Sequence, residues 1–209
     1  DLFREHVSKA MRMMDDIIDL ELEKVDLIIN KVASDPEEAD IRHVEHELWK
    51  KIKDMALRGR RTGLGITAEG DMLAALGLRY GSDEAIDFAV SVHRTLAIEA
   101  YRASVKMAEE RGAFPIYDAA REASNPMIER IKEADPELYA EMVKHGRRNI
   151  AMLTIAPTGT TSLMSQTTSG IEPVFRPVYK RRRKINPSDK GKVADFVDQM
   201  GEKFEEYYV

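Results

Sequence analysis

The chain has 209 residues, of which 43% are hydrophobic, enough for a buried core in one large domain or two small ones. It contains no cysteine, which excludes disulfides, thiolate metal sites and thiol catalysis within this chain. No run of about 18 uncharged apolar residues is present, and the charged N-terminus lacks the apolar centre of a secretory signal. We therefore expect a cytoplasmic protein with no membrane partner.

The N-terminal third predicts long helices. Apolar residues recur at helical spacing from Leu2 to Val32, which predicts one long helix or two joined helices, and Asp35-Pro36 then breaks the pattern. The pattern is already present at the first residues, so we expect the chain to be a piece of something larger. A second apolar face follows, formed by Ile41, Val44, Leu48, Ile52 and Met55.

Two histidines of this second helix are candidate metal ligands. His43 and His46 lie three residues apart, so they are neighbours on a helix surface. A tetrahedral site needs a third and a fourth ligand, and the chain offers none at a recognisable spacing. We predict no metal site.

The segment Gly63-Leu64-Gly65-Ile66-Thr67 predicts a short strand. A helix over Asp71–Leu76 follows, with Gly77 as its left-handed stop. The Gly-x-Gly pattern is a weak nucleotide-binding signal, because no third glycine completes it. The plainer interpretation is a strand against which another backbone packs tightly.

The middle of the chain predicts three more helices and a buried strand. Ser82 caps a long helix that ends at Gly112, with His93 on its apolar face as a hydrogen-bonded core histidine. Two short helices follow from Asn125-Pro126, and Asp135 caps the second, which Gly146 closes. The apolar and β-branched stretch Asn149–Ala156 predicts the strand.

The C-terminal part begins with a strongly basic run. Residues 176–192 contain eight Lys or Arg and one Asp, although the whole chain has a net charge of −5. Such a run can meet phosphates or an acidic neighbour, and its plainer interpretation is a solvated strand edge or loop. Few aromatic residues interrupt it, so stacking platforms for nucleic acid are lacking and no nucleic-acid partner is predicted. Residues 186–209 predict a turn followed by a terminal helix over 193–209.

A hydroxyl-rich tract after the predicted strand, Thr158–Ser169, suggests an anion site. Backbone N–H groups of a first helical turn lack partners and carry partial positive charge, so anions bind there. Gly159 has no side chain, so the backbone can approach an anion closely. The hydroxyl groups of Thr158, Thr160, Thr161 and Ser162 add hydrogen-bond donors. An ordinary capped helix start is the alternative. No Gly-Lys-Ser/Thr is present, so we infer phosphate holding without phosphate transfer.

Four stretches carry a family resemblance. "APTGTTS" followed by "SGIEPVF" closely resembles the large catalytic subunit of ribonucleotide reductases. "RRTGLGITAEGDMLAALGLRYGS" and "LAIEAYRASVKMAEERGAFP" resemble the family's preceding strand–helix segment and its long helix. "RPVYKRRRKINPSDK" is similar to the adenosylcobalamin-dependent, class II branch. The stretches come in the family's order and cover roughly residues 57–190.

The resemblance implies a fold and a function. The expected fold is α/β, part of a ten-stranded barrel, mostly helical with few short strands. It divides into a helical segment (1–58), barrel strands and helices with a phosphate loop (59–192) and a terminal helix (193–209). The family reduces ribonucleotides to deoxyribonucleotides for DNA replication by radical chemistry, which adenosylcobalamin starts in class II. The substrate's phosphates would be held by Pro157, Thr158, Gly159, Thr160, Thr161 and Ser162.

The chain departs from the family in having no cysteine. The family needs a thiyl-radical cysteine and a reducing cysteine pair, so this chain is expected to supply no catalytic residue and to be inactive alone. Its partners would be the ribonucleotide and the remaining segments of the reductase, and open strand edges predict an oligomer. The alternative is a non-enzymatic interaction or regulatory module that reuses the reductase scaffold.

Overall fold

The computed structural model describes all residues from 1 to 209. Eight helices and three short strands follow one another along the chain. The helices are α1 (Leu2–Ala33), α2 (Ala39–Gly59), α3 (Glu69–Ala75), α4 (Asp83–Arg111), α5 (Ala119–Glu122), α6 (Pro126–Ala134), α7 (Pro136–His145) and α8 (Gly159–Ser165). The strands are β1 (Lys180–Lys184), β2 (Phe196–Val197) and β3 (Lys203–Tyr208). The predicted mostly helical character is confirmed.

The first helix is a single element of 32 residues that ends just before the predicted break at Asp35-Pro36. Its buried stripe contains Val7, Met11, Ile18 and Val25, together with the carboxylate of Asp15. Phe3 and Ile17, which the apolar pattern places on the packed face, are instead 39% and 53% exposed. The buried stripe is displaced because Arg60, Arg111 and Arg148 bind the carboxylate of Asp15 on the inner side of α1. The spacing of apolar residues does not reveal such ion pairs.

The second helix packs against α1 but leaves its apolar face uncovered. Ile41, Val44, Leu48 and Met55 are each at least half exposed, and only Gly59 is buried. Periodicity predicts that these residues share a face. It does not tell which element covers that face.

The core forms where α4 crosses α1, α6 and α7. It is a cluster of 13 buried residues that includes Met11, Leu96, Tyr101, Leu138 and Met142. The predicted helix boundaries are confirmed here. Ser82 Oγ accepts the Ala85 N–H at 3.3 Å and Asp135 Oδ1 accepts the Leu138 N–H at 2.9 Å. Gly112 and Gly146 end α4 and α7 with φ of +87° and +73°.

The two predicted apolar strands are extended segments that pair in parallel at one bridge, between Leu64 and Leu153. Three backbone hydrogen bonds hold them. Thr62 N–H donates to Ala151 O at 2.9 Å, Leu64 N–H to Met152 O at 2.7 Å and Thr154 N–H to Leu64 O at 2.9 Å. The prediction of a short strand and a buried strand is therefore wrong, since a single bridge is not a regular ladder. The predicted close approach of another backbone to the glycine-rich segment is confirmed.

The predicted terminal helix over 193–209 is also wrong. β3 pairs antiparallel with both β1 and β2 in a three-stranded sheet of order β1-β3-β2. Gly201, with a φ of +82°, makes the turn between β2 and β3, and Asp198 Oδ1 accepts the N–H groups of Met200 and Glu202. The acidic pair Glu205 and Glu206 of β3 and the tyrosines that follow it lie opposite the basic strand β1, and this long-range pairing overrides any local helical tendency.

The sheets of the chain do not close into a barrel. The three-stranded sheet is open and antiparallel, and the parallel bridge lies elsewhere in the fold. None of the eight helices has an apolar stretch of the length and hydropathy needed to cross a bilayer.

Candidate functional site

The candidate site lies where the two parallel segments end. After the Leu64–Leu153 bridge, the first segment runs through Thr67 into α3 and the second runs through Thr158 into α8. Since parallel segments present their carboxyl ends on one side, the starts of α3 and α8 lie together. The hydroxyl-rich tract therefore lies at a junction of two strand-to-helix turns.

The predicted loop residues lie at the beginning of α8, with different exposures. Pro157, Gly159, Thr160 and Thr161 are exposed, Thr158 is half-buried, and Ser162 is buried at 7% exposure. α8 begins at Gly159, so the expected helix start is confirmed. Gly159 has no positive φ, and a Cβ added there would meet no atom within 4 Å. The fold itself therefore does not require glycine at this position.

Three amides and two hydroxyls of this loop are free to bind a ligand. The N–H groups of Gly159, Thr160 and Thr161 have no hydrogen-bond partner within the chain. The hydroxyl groups of Thr160 and Thr161 are exposed and also make no intramolecular hydrogen bond. These adjacent donors on consecutive residues suit the oxygens of a phosphate group.

The other two hydroxyl groups are already used inside the protein. Ser162 Oγ donates to Gly159 O at 2.8 Å, within the same helical turn. Thr158 Oγ1 lies 2.8 Å from Thr67 Oγ1 and accepts the Gly170 N–H at 2.6 Å. The sequence suggested that all of these hydroxyls serve as ligand donors, but in this structure Thr158 and Ser162 shape the loop.

Residues of α3 hold the segment that follows α8, and the sequence did not indicate this role. Thr168 N–H donates to Asp71 Oδ2 at 2.9 Å, and Asp71 N–H donates in return to Thr168 Oγ1 at 3.3 Å. Gly70 lies so close to the chain after α8 that an added Cβ would be 2.7 Å from Glu172 O. Thr67 and Asp71 lie inside a stretch that does resemble the family, which is the one sequence signal that pointed to this region.

The hydroxyl-rich tract itself carries little charge. Between Ile155 and Phe175 the only ionisable side chain is Glu172, so no lysine or arginine of the tract can neutralise a phosphate. Leu163 and Met164 of α8 are 80% and 83% exposed, and the loop is open to solvent. Amides and hydroxyls alone would bind an anion weakly in so open a setting, since water competes for each donor.

The remaining sequence candidates have structural explanations. A Cβ on Gly65 would lie 2.3 Å from Thr154 O, which confirms close backbone approach as the role of the Gly-x-Gly segment. His93 Nε2 lies 2.8 Å from Glu69 Oε2, so this half-buried histidine is satisfied, as expected. His43 and His46 belong to no cluster of metal-ligating groups.

The basic run is solvated and paired within the chain. β1 is exposed along its whole length, which confirms the plainer interpretation of this segment. Arg182 and Lys180 bind Glu206, and Arg183 binds Glu205. Hydrogen bonds and charge from Lys180 and Arg182 hold the pKa of Glu206 below the usual glutamate value, and those from Lys192 and Arg183 do the same for the pKa of Glu205. The acidic neighbour of the run is therefore β3.

An acidic cluster on α1 is paired with arginines. Carboxylate oxygens of Asp15, Asp16 and Asp19 lie within 4.8 Å of one another. Arginines already balance all three: Arg60 binds Asp15 and Asp19 at 2.8 Å each, and Arg111 binds Asp16 at 2.7 Å. The cluster therefore serves the fold.

Comparisons with known proteins identify relatives along nearly the whole chain. Residues 1–206 match the family model described as "Ribonucleotide reductase, barrel domain". A vitamin B12-dependent ribonucleoside-diphosphate reductase of Mycobacterium tuberculosis is 36% identical over 143 residues, 68% of this chain and 18% of the relative. The enzyme of the same name from Thermoplasma acidophilum is 32% identical over 181 residues, 87% of this chain and 18% of the relative.

A further relative extends the similarity beyond the B12-dependent enzymes. The ribonucleoside-diphosphate reductase subunit alpha of Chlamydia trachomatis is 26% identical over 194 residues, 84% of this chain and 16% of the relative. The chain thus spans less than a fifth of the length of the curated relatives that it matches. The match begins at residue 1, so it also includes α1 and α2, which the sequence motifs left without a distinctive resemblance.

Proposed function

The chain belongs to the ribonucleotide reductase barrel-domain family, and we propose that it is the part of a class II reductase that holds the substrate's phosphates. The observation that carries the proposal is the loop at the start of α8, whose sequence resembles the family's phosphate loop and whose three free amides lie side by side. The groups proposed to bind the phosphates are the amides of Gly159, Thr160 and Thr161 and the hydroxyls of Thr160 and Thr161. Pro157, Thr158 and Ser162 complete the loop.

We propose a ribonucleoside diphosphate as the substrate of the whole enzyme, because the relatives are named for that substrate. The chain's own contribution is binding and orientation of the phosphates. With no cysteine it has no group for thiyl-radical chemistry, so the reduction itself depends on the remaining segments of the reductase. Those segments are its proposed partners, in an oligomer and in the cytoplasm.

Adenosylcobalamin is the proposed cofactor of the whole enzyme, since two of the relatives are named as vitamin B12-dependent. It would supply the radical that starts the reaction. The chain offers no fit for the corrin ring. A groove of about 520 Å³ between α4 and α6 is open and carries Arg94, Arg130 and Glu133. No residue of this chain is therefore assigned to the cofactor.

Titration of the chain with a ribonucleoside diphosphate and with pyrophosphate, followed by amide NMR, tests the phosphate loop. We expect the signals of residues 159–161 to shift. Gly159→Ala should weaken binding by about five- to ten-fold, because it places a methyl group beside the free amides while the fold has room for it. Thr154→Val is the matched control, a threonine upstream whose hydroxyl makes no hydrogen bond, and it should bind as the wild type does.

The same titration separates the two candidate functions. An interaction module is favoured by the exposed apolar face of α2, formed by Ile41, Val44, Leu48 and Met55. That module would bind a protein partner whether or not nucleotide is present, and its loop signals would not respond to diphosphate. Unchanged signals of residues 159–161 at millimolar diphosphate would contradict the phosphate-holding proposal.

A further inference from the structure

The two turns that meet at the candidate site have the same construction. Each extended segment ends in a residue with left-handed backbone, Ala68 with a φ of +65° and Thr158 with a φ of +49°. Each of these residues is followed at once by a helix of seven residues, α3 or α8. Neither helix start has a side-chain cap. A β-branched residue such as Thr158 seldom adopts the left-handed conformation, so the neighbouring structure has to maintain it.

The hydroxyl of Thr67 joins the two turns. Its Oγ1 lies 2.8 Å from Thr158 Oγ1, although the two residues are 91 positions apart in sequence. It also donates to Thr168 O at 3.3 Å. Since a hydroxyl group has a single proton to donate, the Thr158 hydroxyl must donate to Thr67 Oγ1 if Thr67 donates to Thr168 O.

Gly170 completes the connection. Its N–H points at both hydroxyls, 2.6 Å from Thr158 Oγ1 and 3.2 Å from Thr67 Oγ1. The Thr158 hydroxyl thus accepts from Gly170 and donates to Thr67, which leaves it little freedom to rotate or to bind a ligand. The residue that immediately precedes the free amides is held in place through Thr67.

We propose that Thr67 is a positioning residue for the phosphate loop: its hydroxyl keeps Thr158 in the left-handed conformation that aims the amides of Gly159, Thr160 and Thr161 at the ligand. The role in binding rests on the proposed function, whereas the role in holding Thr158 is independent of any ligand. Thr67 itself lies on the other strand-to-helix turn and does not touch the phosphate.

Three variants of the chain test this role. Thr67→Val removes the hydroxyl and keeps the β-branched shape, and Thr67→Ser keeps the hydroxyl. Thr62→Val is the matched control: Thr62 lies on the same extended segment, and its hydroxyl donates to Ala151 O at 3.2 Å, away from the loop. The readouts are pyrophosphate affinity from the NMR signals of residues 159–161, the carbon chemical shifts of Thr158, and hydrogen exchange of the Gly170 amide.

We expect Thr67→Val to weaken pyrophosphate binding by about five-fold or more, to move the Thr158 carbon shifts and to speed Gly170 exchange. Thr67→Ser and Thr62→Val should resemble the wild type in all three readouts. A Thr67→Val variant with wild-type affinity would overturn the positioning role in binding. If the wild type binds no pyrophosphate, the proposed function fails. The conformational role is tested separately: unchanged Thr158 carbon shifts and unchanged Gly170 hydrogen exchange in Thr67→Val would overturn it.

Discussion

At the scale of single residues, the key feature is the buried carboxylate of Asp15, which lies within the helical body formed by residues 1–175. Asp15 has no exposed surface, and its Oδ1 accepts from Arg60 Nε at 2.8 Å and from Asn149 Nδ2 at 2.9 Å. Its Oδ2 accepts from Arg148 Nε at 3.2 Å. Burial alone would raise the pKa of Asp15, but the hydrogen bonds and charges of Arg60 and Arg148 outweigh it and lower the pKa.

This network joins four parts of the chain. Arg60, at the end of α2, has left-handed backbone with a φ of +45° and is 4% exposed. Asn149 begins the second extended segment, and Ser104 Oγ of α4 donates to Asn149 Oδ1 at 2.9 Å. Removal of the Asp15 charge would leave the buried Arg60 with Asp19 as its only counter-ion and the half-buried Arg148 with none, and breaking a buried ion pair from one side in this way is costly.

We predict that Asp15→Asn lowers the free energy of unfolding by about 3–5 kcal/mol at pH 7, as measured by urea denaturation. Because the folded-state pKa of Asp15 is lowered, its contribution is complete above the unfolded pKa of about 3.9 and is lost as the pH falls through the folded pKa. The difference in the free energy of unfolding between Asp15→Asn and the wild type should therefore become smaller as the pH falls below about 4.

Asp16→Asn is the control, since Asp16 is 50% exposed and binds Arg111 at the surface. It should cost no more than about 1 kcal/mol. An Asp15→Asn protein as stable as Asp16→Asn, or a difference that stays constant down to pH 3, would refute this role of the network.

At the scale of secondary-structure elements, the critical contact is that between the two parallel segments. They make only three backbone hydrogen bonds around one bridge, and the backbones approach closely enough to require glycine. At Gly63 an added Cβ would be 3.1 Å from Thr154 Cγ2, and at Gly65 it would be 2.3 Å from Thr154 O. The carbonyl is rigid backbone, so at Gly65 the segments themselves have to separate. That separation would also move Thr67 and Thr158 apart.

We predict that Gly65→Ala lowers the free energy of unfolding by about 1–3 kcal/mol and speeds hydrogen exchange of the Leu64 and Thr154 amides. Gly159→Ala should change stability by less than about 0.5 kcal/mol, since an added Cβ there meets no neighbour. Urea denaturation and hydrogen exchange by NMR measure both effects. Equal stability of the two variants would show that the segments are not in close contact.

At the scale of the whole molecule, the C-terminal sheet stands apart from the helical body. No hydrogen bond or salt bridge joins residues 176–209 to residues 1–175. The sheet is held by its own ladders, by ion pairs between β1 and β3, and by Phe196 and Phe204, whose ring centroids are 6.0 Å apart. The helical body has a core of its own in which no residue of the sheet takes part. The two parts should therefore lose their structure separately.

We predict that Phe204→Ala abolishes the hydrogen-exchange protection of β1 and β3 and leaves the thermal midpoint of the helical body within about 2 °C of the wild type. The matched core variant Leu96→Ala should instead lower the helical midpoint, because a buried leucine is worth about 2–5 kcal/mol. Far-UV circular dichroism and hydrogen exchange follow the two parts independently. A helical midpoint that falls as much in Phe204→Ala as in Leu96→Ala would show that the sheet and helices form one cooperative unit.

Features that depend on neighbouring residues could be predicted from the amino-acid sequence. Helix caps and stops such as Ser82, Gly112, Asp135 and Gly146 act within a few positions, so their signals are local and their predicted roles are confirmed. The family motifs are also local, and the residues alone were enough to identify the family. The phosphate loop remains a prediction at its six residues, although its helix start at Gly159 is confirmed.

Features that depend on partners far away in the sequence could be seen only in the folded chain. Asp15 is buried because Arg148 and Asn149 reach it from more than 130 positions away, and no apolar pattern on α1 contains that information. Residues 203–208 form a strand because β1 supplies opposite charges and an open edge. Thr158 is left-handed because Thr67 and Gly170 hold its hydroxyl. In each case hydrogen bonds between remote residues outweigh the local preference, and such bonds exist only once the chain has folded.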